Sequence, residues 1–430
     1  MHPNPPPPPP PAVTSSPSQI HLALVPRDRS ALRVNWVSDL KTPPTVSWGT
    51  DAANLLHVAS GTTTTYHITD MCGSPANDTQ WWVDPGMLHT AVLTGLPIGS
   101  DIYYSVGAKG KMSPAIGPVR VGPKAENAAL TFVGFGDLGV SSAASASAAG
   151  VARNTSRLVA RLANETDVVM HVGDISYAQG IAAFWPEFFA EIEPVAKRVP
   201  WQVCIGNHEY DWPGQPFKPP LFSYHTDSGG ECGVPYAKRF DMDPEGPGKN
   251  IYYSVDMGPV HFALLSSEHN MTAGSAQLAW LARDLAAVDR SATPFVVFAM
   301  HRPLYSSTLF DFLPEASVML KAIEPVLLKN KVDLAIFGHV HQYSRSCPLA
   351  NGKCVADGAG PVYMTIGTAG ATDQLPFLPS KHARKQSKVH GAARFRVLNA
   401  TAMHVQYLDG ASWNAEQIVV DDDFFVTRLH

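Results

Sequence analysis

The pentapeptide Gly173-Asp174-Ile175-Ser176-Tyr177 follows directly on the apolar run Val168–Val172. A short apolar run that ends at a glycine is typical of a buried parallel strand, and open α/β sheets place ligand sites just beyond such strand ends. A carboxylate has two oxygens and can bridge two cations. A phenol, whose ordinary pKa is about 10, favours a strongly Lewis-acidic ion because its proton must be displaced. The stretch therefore suggests a metal centre in an α/β domain.

Four further apolar runs also end in polar side chains. The runs and the residues that follow them are Leu130–Phe135 with Asp137, 201–205 with Asn207 and His208, Phe295–Met300 with His301, and Leu334–Phe337 with His339 and His341. Each side chain alone has an ordinary interpretation, such as a helix cap, a turn residue or a core histidine. Because the pattern occurs at five successive strand ends, we expect these side chains to meet at the same edge of a sheet.

Seven of these side chains are candidate metal ligands. They are Asp137, Asp174, Tyr177, Asn207, His301, His339 and His341. Seven donors are too many for one ion and suit two ions that share Asp174. Oxygen and imidazole donors without a thiolate fit iron, zinc or manganese. Two such ions, roughly 3.5–4 Å apart, can generate a hydroxide and hold a phosphoryl group from both sides, so the expected reaction is phosphate-ester hydrolysis.

The length of 430 residues predicts two domains. Residues 19–122 contain short alternating strands with tryptophans, separated by Gly, Pro, Asn and Asp. This pattern predicts an all-β sandwich of immunoglobulin or fibronectin-III type, which we interpret as a scaffold or interaction module. From residue 127 to 426, apolar strands alternate with helical patterns, which predicts a layered α/β domain. Residues 1–18, with a run of prolines, are predicted to form an extended tether.

Composition and local motifs indicate which kinds of partner and which cellular compartments to expect. The formal net charge is -5 and we find no Lys/Arg-rich run, so nucleic acid is not an expected partner. We find no apolar stretch of about 18 residues, so no membrane span is expected. The segment after Met1 shows neither the basic nor the apolar part of a signal peptide, so either a signal has been removed or the protein is not secreted. Sequons for N-glycosylation argue for secretion, at Asn77, Asn154, Asn164, Asn270 and Asn399.

The five cysteines allow several arrangements. Cys347 and Cys354 bracket a short turn and would close a compact disulfide loop, with two free thiols as the alternative. Cys204 lies inside an apolar run and is expected to be a buried small hydrophobic residue. Cys72 and Cys232 remain to pair with each other or to link two chains.

Five short blocks occur in order along the second domain. They are Asp137-Leu138-Gly139, Gly173-Asp174-Ile175-Ser176-Tyr177, Gly206-Asn207-His208-Glu209, Phe298-Ala299-Met300-His301 and Gly338-His339-Val340-His341. In this order they resemble the purple acid phosphatases and, more broadly, the calcineurin-like metallophosphoesterases. The N-terminal region is similar to the fibronectin-like domain of the large plant-type members. The resemblance implies a layered metallophosphoesterase sandwich, and Tyr177 is the mark of the purple acid phosphatase subgroup.

The resemblance also implies a ligand assignment. Fe(III) would be held by Asp137, Asp174, Tyr177 and His341. A second ion, Fe, Zn or Mn in the divalent state, would be held by Asp174, Asn207, His301 and His339. A metal-bound hydroxide would attack phosphorus in line, and His208 would protonate the leaving alkoxide or orient the phosphate.

The implied activity is that of an acid phosphatase that hydrolyses small-molecule phosphate monoesters to an alcohol and inorganic phosphate. We expect a secreted, extracellular or vacuolar glycoprotein, and a homodimer is compatible with it. One alternative is a phosphodiesterase or phytase on the same dimetal centre, because metal chemistry does not fix the number of ester groups on phosphorus. Another is a non-catalytic glycoprotein with a vestigial site, although none of the seven ligands is missing. Glu268-His269, Arg302, Tyr343 and Arg345 are undecided between site and structural roles.

Overall fold

The structure is a computed structural model that describes residues 12–108, 110–123, 129–141, 149–217, 226–312 and 314–429. Most of the predicted proline-rich tether, residues 1–11, lies outside these described residues. The predicted order of an all-β sandwich followed by a layered α/β domain is confirmed.

Eight antiparallel strands form the N-terminal β-sandwich. They are β1 (Ser18–Val25), β2 (Asp28–Ser38), β3 (Pro44–Gly49), β4 (His57–Thr64), β5 (Met87–Leu93), β6 (Asp101–Ala108), β7 (Lys111–Met112) and β8 (Ile116–Arg120). The strand order is β1-β2-β5-β4-β3-β6-β7, with β8 beside β6. β4 joins the two groups of strands, because its residues 57–60 pair with β3 and its residues 61–64 pair with β5. Trp36 is almost completely buried in the core, as the alternating pattern predicts.

The second domain begins with a six-stranded mixed sheet. Its strands are β9 (Leu130–Phe135), β10 (Val168–Val172), β11 (Trp201–Cys204), β21 (Gly391–Asn399), β22 (Ala402–Asp409) and β23 (Val420–Thr427), in the order β11-β10-β9-β21-β22-β23. The strands β9, β10 and β11 are parallel. Every residue of β10 is buried, as expected for a parallel strand covered on both faces.

A second sheet has seven strands. They are β12 (Tyr253–Met257), β13 (Val260–Leu264), β14 (Phe295–Met300), β15 (Leu334–Phe337), β16 (Tyr343–Ser346), β19 (Val362–Ile366) and β20 (Ala383–Ser387), in the order β12-β13-β14-β15-β19-β16-β20. β13, β14, β15 and β19 are parallel neighbours. A separate hairpin is formed by β17 (Leu349–Ala350) and β18 (Lys353–Cys354).

Helices connect the strands of this domain. They are α1 (Ala149–Leu162), α2 (Phe184–Ala196), α3 (Asn207–Tyr210), α4 (Val234–Arg239), α5 (Ala276–Ala286) and α6 (Pro314–Lys329). Among the described residues, no helix has both the length and the apolar character that a membrane crossing requires.

The two sheets of the second domain pack face to face. The ring of Phe132 on β9 stacks on Phe395 of the same sheet, with centroids 4.3 Å apart, and meets Phe262 of the other sheet edge-on at 5.1 Å. All three side chains are fully buried. Apolar contact across this layer fixes how the strand ends of one sheet lie relative to those of the other.

Two disulfides are present. Cys347 pairs with Cys354, as predicted, and Cys72 of the β-sandwich pairs with Cys232 of the second domain. The alternative that Cys72 and Cys232 link two chains is therefore not needed. Cys204 is free and buried, as the sequence predicts.

Candidate metal centre

The candidate ligands lie where strands of both sheets end. Asp137, Asp174 and Asn207 follow β9, β10 and β11 of the first sheet, and His301 and the pair His339/His341 follow β14 and β15 of the second. The prediction that one sheet edge collects them is therefore wrong. The five strands are divided between two sheets, and face-to-face packing brings their ends together.

Two groups of donor atoms overlap at one residue. Asp174, His301 and His339 form one group, and Asp137, Asp174 and His341 form the other, with the donor atoms within each group all inside 4.8 Å of one another. Nε2 of His301 lies 3.2 Å from Oδ2 of Asp174, and Nε2 of His341 lies 3.2 Å from Oδ1 of Asp137. Asp174 thus occupies the shared position that the sequence predicts for it.

Tyr177 and Asn207 complete one group each. The Tyr177 hydroxyl lies 3.2 Å from Oδ1 of Asp137 and 3.0 Å from Nε2 of His341. Oδ1 of Asn207 lies 3.0 Å from Nε2 of His301 and 2.9 Å from Nδ1 of His339. All seven predicted ligands therefore converge. We call Asp137, Asp174, Tyr177 and His341 the tyrosine half, and Asp174, Asn207, His301 and His339 the amide half.

Four of the seven candidate ligands have a left-handed backbone. The φ angles are 63° at Asp137, 50° at Asp174, 49° at Tyr177 and 66° at His339. Residues other than glycine rarely adopt this region, and holding one there costs roughly 1–3 kcal/mol. Such strain is typical of functional sites, where surrounding contacts hold a side chain in an otherwise unfavourable direction.

The pKa values of the three imidazoles of the site are shifted in different directions. Burial alone would lower the pKa of His301, but the neighbouring Asp174 carboxylate raises it to about 9. Burial opposes protonation of His341 as well, yet hydrogen bonds to Asp137 and Asp373 raise its pKa to about 10. Burial and the nearby Arg302 guanidinium hold the pKa of His339 well below its usual value.

The Asp174 carboxylate and the Tyr177 phenol at the centre also have shifted pKa values. Burial would raise the pKa of Asp174, but the adjacent His301 and His208 hold it well below the usual range. Burial, together with the carboxylates of Asp137 and Asp174, raises the pKa of Tyr177 above that of free tyrosine. A strongly polarising cation is therefore needed to remove the Tyr177 proton.

Glu209 stabilises the loops of the site by hydrogen bonds, a role that we did not assign from the sequence. Its side chain is buried and accepts hydrogen bonds from the backbone N–H groups of Asp174, Ile175 and Gly206 at 3.0, 2.7 and 2.9 Å. It thereby ties the loop after β10 to the start of α3. A glutamate three residues after the residue that precedes a helix is a known capping pattern, and this signal was present in the sequence.

His208 lies beside the donors and is not part of either donor group. Its Nε2 is 3.8 Å from Oδ2 of Asp174, and its ring lies 4.5 Å from the ring of Tyr177, measured between centroids. Its Nδ1 is 2.8 Å from the side-chain amide of Gln179 and 3.1 Å from the carbonyl oxygen of Asp227. His208 therefore lies next to the donor atoms without being one of them.

The undecided residues separate into two sets. Arg302 and Glu268 form a buried bidentate ion pair, with Nε–Oε1 2.8 Å and Nη2–Oε2 3.1 Å apart, and Nη1 of Arg302 is 3.3 Å from Nε2 of His339. This pair therefore borders the amide half. Tyr343 and Arg345 both donate to Asp422 on β23, which is a structural role.

His269, the last undecided residue, packs against the ring of Tyr210 in a tilted arrangement and makes none of the contacts described above for the donors. Two carboxylates without a motif, Asp373 and Asp227, instead contact candidate ligands. Oδ1 of Asp373 accepts from Nδ1 of His341 at 2.6 Å, and Oδ2 of Asp227 accepts from Nδ2 of Asn207 at 3.0 Å. The donor set and these partners fit two bound cations, because each contact leaves a nitrogen or oxygen atom free to face the centre of the site.

Comparison with known proteins defines the class first. The family sequence model of calcineurin-like phosphoesterases matches residues 130–343, the range that contains every candidate ligand. The fold is therefore that of a metallophosphoesterase.

More specific matches cover both ends of the chain. The model of the purple acid phosphatase N-terminal domain matches residues 17–117, and that of the C-terminal part of iron/zinc purple acid phosphatase-like proteins matches residues 360–422. The structure of purple acid phosphatase PPD1 from yellow lupin (Lupinus luteus) seeds superimposes with a TM-score of 0.86 at 28% identity, covering 97% of this chain and 75% of that one. The chain belongs to the purple acid phosphatase family.

Two relatives from Arabidopsis thaliana differ in how they are named. "Probable inactive purple acid phosphatase 9" is 39% identical over 386 residues, covering 84% of this chain, and this chain spans 59% of its length. "Probable purple acid phosphatase 20" is 30% identical over 362 residues, covering 84% of this chain and 75% of the relative. Similarity alone therefore supports the fold and the family. Catalytic activity has to be argued from the geometry of the site.

Proposed function

We propose that the chain is a metal-dependent acid phosphatase that hydrolyses phosphate monoesters of small molecules. The observation that carries this proposal is the completeness of the site: all seven candidate ligands converge, with His208 beside them. A site released from selection for metal binding would be expected to lose at least one of these eight side chains.

The two halves would hold different cations. Two anionic carboxylates and a phenol in the tyrosine half favour Fe(III), whereas the amide half, with a neutral amide and two imidazoles beside Asp174, favours a divalent Fe, Zn or Mn ion. When bound, the pair of cations supplies Lewis acidity toward the phosphoryl oxygens and activates a water molecule as nucleophile.

His208 would act on the substrate itself. Its side chain is 18% exposed, whereas the Asp174 side chain beside it is 1% exposed. His208 can therefore reach a ligand in the open part of the site. When Nδ1 accepts from the nearby Gln179 amide, the neutral ring carries its proton on Nε2, which is then the nitrogen that can donate to the leaving alkoxide or orient the phosphate.

A secreted or vacuolar location fits the covalent features of the chain. Two disulfides are typical of oxidising compartments. Four of the five sequon asparagines are exposed, Asn77, Asn164, Asn270 and Asn399, and glycans are proposed there. Asn154 is half-buried within α1 and is a poorer acceptor.

The names of several relatives favour a second candidate, a non-catalytic member of the family. The first of them is called probable inactive, although it shares 39% identity with this chain. This candidate differs from the first only in whether the chain hydrolyses phosphate esters, so an activity assay distinguishes the two.

The test combines a spectrum with two substrates. The protein is purified without chelators, and its visible absorption is compared with that of Tyr177→Phe, while rates are measured on p-nitrophenyl phosphate and bis(p-nitrophenyl) phosphate. A tyrosinate-to-Fe(III) band in the parent alone, with faster cleavage of the monoester, is expected. Faster cleavage of the diester would instead identify a phosphodiesterase. A colourless protein that remains inactive after reconstitution with iron, zinc or manganese would support the non-catalytic candidate.

A further inference from the structure

Asp227 contacts two neighbouring residues of the site, Asn207 of the amide half and the adjacent His208. Its Oδ2 accepts from Nδ2 of Asn207 at 3.0 Å, and its carbonyl oxygen lies 3.1 Å from Nδ1 of His208. The side-chain amide of Asn207 has two ends, and only the oxygen is a metal ligand. Because Asp227 engages the nitrogen end, Oδ1 of Asn207 is turned toward His301 and His339.

The segment that carries Asp227 is fixed on its catalytic side by Asp211. The Ser228 N–H and hydroxyl both donate to the Asp211 carbonyl oxygen, at 3.2 and 2.8 Å. Asp211 itself follows α3, so this contact spans only the local loop. It leaves the far side of the segment to be held by other parts of the chain.

The far side is held by the β-sandwich. The Cys72 N–H donates to the Gly230 carbonyl at 2.8 Å, the Ala76 N–H donates to the Gly229 carbonyl at 3.0 Å, and Cys72 is bonded to Cys232. The approach is close, since a Cβ atom at Gly230, where φ is 83°, would overlap the Gly73 carbonyl oxygen. Residues 72–76 therefore make backbone, covalent and packing contact with the Asp227 segment.

The same sandwich residues also lie against the other loop that holds His208. A Cβ atom on Gly180 would lie 2.7 Å from the Ala76 nitrogen and 2.8 Å from Cγ of Pro75. Gly180 follows Gln179, whose side chain is 2.8 Å from His208. Both groups that hold Nδ1 of His208 are thus carried by loops that rest on residues 72–76.

We propose that Asp227 is a positioning residue for Asn207 and His208, and that residues 72–76 of the β-sandwich act as a strut that holds it in place through the Cys72–Cys232 bond. The β-sandwich is then part of the active-site scaffold. The effect on metal affinity rests on the proposed metal-dependent function, whereas the effect on local structure does not.

The first test concerns Asp227. In the metal-free protein, Asp227→Ala is expected to speed amide hydrogen exchange over residues 206–211, and on titration with Zn²⁺ to weaken binding at the amide half about tenfold. Asp227→Asn is expected to remain near the parent, because its Oδ1 still accepts from Asn207. Unchanged exchange in Asp227→Ala overturns the positioning role. A parent that binds no Zn²⁺ would count against the proposed function, and the exchange measurement would still decide on Asp227.

The second test concerns the strut. Cys72→Ser/Cys232→Ser is compared with Cys347→Ser/Cys354→Ser, which removes the disulfide beside the β17–β18 hairpin. Faster exchange over residues 206–211 is expected only in the first variant. Gly230→Ala keeps both disulfides but forces the Asp227 segment away from Gly73, and it is expected to act in the same direction. If Gly230→Ala and the two disulfide variants all exchange like the parent, the strut is overturned.

Discussion

The tyrosine half and the amide half of the site share Asp174 but differ in charge and in the residues that support them. In the tyrosine half, His341 lies between two carboxylates, Asp137 and Asp373, and its pKa is raised to about 10. In the amide half, His339 faces Arg302 and its pKa is held well below the usual value by burial and by that positive charge. Under the proposed assignment, the anionic half would hold the more highly charged cation and the other half a divalent one.

The two halves that share the Asp174 carboxylate also differ in the partners of their imidazoles. Nδ1 of His301 lies 2.8 Å from the Val172 carbonyl oxygen, a neutral partner, whereas Nδ1 of His341 donates to a carboxylate. The identity of the partner behind each imidazole sets how much negative charge reaches the centre. The predictions below test this contrast.

The largest effect is expected from Asp174→Asn, which removes the anionic oxygens common to both halves. Both ions should be lost, and turnover on p-nitrophenyl phosphate should fall by more than about 100-fold. Loss of a residue that only hydrogen-bonds to a metal ligand lowers affinity or activity by up to about 100-fold, and loss of a shared ligand should cost more. Metal content per chain and initial rates check this. Asp423→Asn, at a half-exposed carboxylate on β23, is the matched control. Retention of both ions by Asp174→Asn would refute the shared role.

A smaller and selective effect is expected from Asp373→Ala, which removes the carboxylate behind His341. Affinity for the ion in the tyrosine half should fall about tenfold, with the amide half unaffected. A larger loss is not expected, because the Asp373 side chain is largely exposed and its backbone carbonyl oxygen, 3.1 Å from Nδ1 of His341, remains. Iron and divalent metal are counted separately after dialysis against a chelator. Asp373→Asn should lose less, because its amide oxygen still accepts. Equal loss of both ions would show that the halves are not supported separately.

Replacing His208 tests a residue that belongs to neither half. His208→Ala should leave both ions bound and lower turnover on alkyl phosphates at least about tenfold, because a poor leaving group needs a proton donor. Aryl phosphates should be affected less. His404→Ala, at a histidine that pairs with Asp423 away from the site, is the control. Turnover on alkyl phosphates equal to that of the parent would remove His208 from the mechanism.

The contact of an imidazole with two carboxylates can also be tested outside the site, where no change in metal content is expected. His261 lies 2.7 Å from Asp256 and 3.0 Å from Asp284, and although burial opposes protonation these carboxylates raise its pKa to about 9. Since the folded pKa exceeds the usual 6.5, the stabilisation is fully present below pH 6.5 and is lost as pH rises through 9.

His261→Gln should therefore destabilise the protein by about 3 kcal/mol at pH 6 and by little at pH 10. Urea denaturation midpoints of parent and variant at the two pH values measure this difference. A destabilisation that is the same at both pH values would mean that His261 contributes by packing rather than by charge.

The sequence was sufficient to predict the strands and the convergence of the polar side chains that follow them, because both depend on short patterns. Their role as metal ligands stays a prediction. The ends of β9, β10, β14 and β15 agree with the apolar runs, and the polar residues after them converge as expected. The division of these strands between two sheets was not predictable, since an apolar run shows that a strand is buried but not which strand lies beside it. That information resides in long-range packing, such as the contact of Phe132 with Phe262.

The partners behind the ligands were missed for a related reason. Asp373 and Asp227 lie 32 and 20 residues from the ligands they contact, in segments with no recognisable motif. Only the folded chain brings them near His341 and Asn207. Glu209 differs, because its capping position at the start of α3 is a local pattern that sequence reasoning can recognise.

The bond between Cys72 and Cys232 closes a covalent ring within the chain, with a sequence separation of 160. Asp137, Asp174, Tyr177, Asn207 and His208 all lie inside this ring. A protease that cuts the backbone once between residues 72 and 232 would therefore produce two fragments that stay joined under oxidising conditions. The fragments would remain at high effective concentration, so a nicked molecule could keep its site assembled until a reductant separates the pieces.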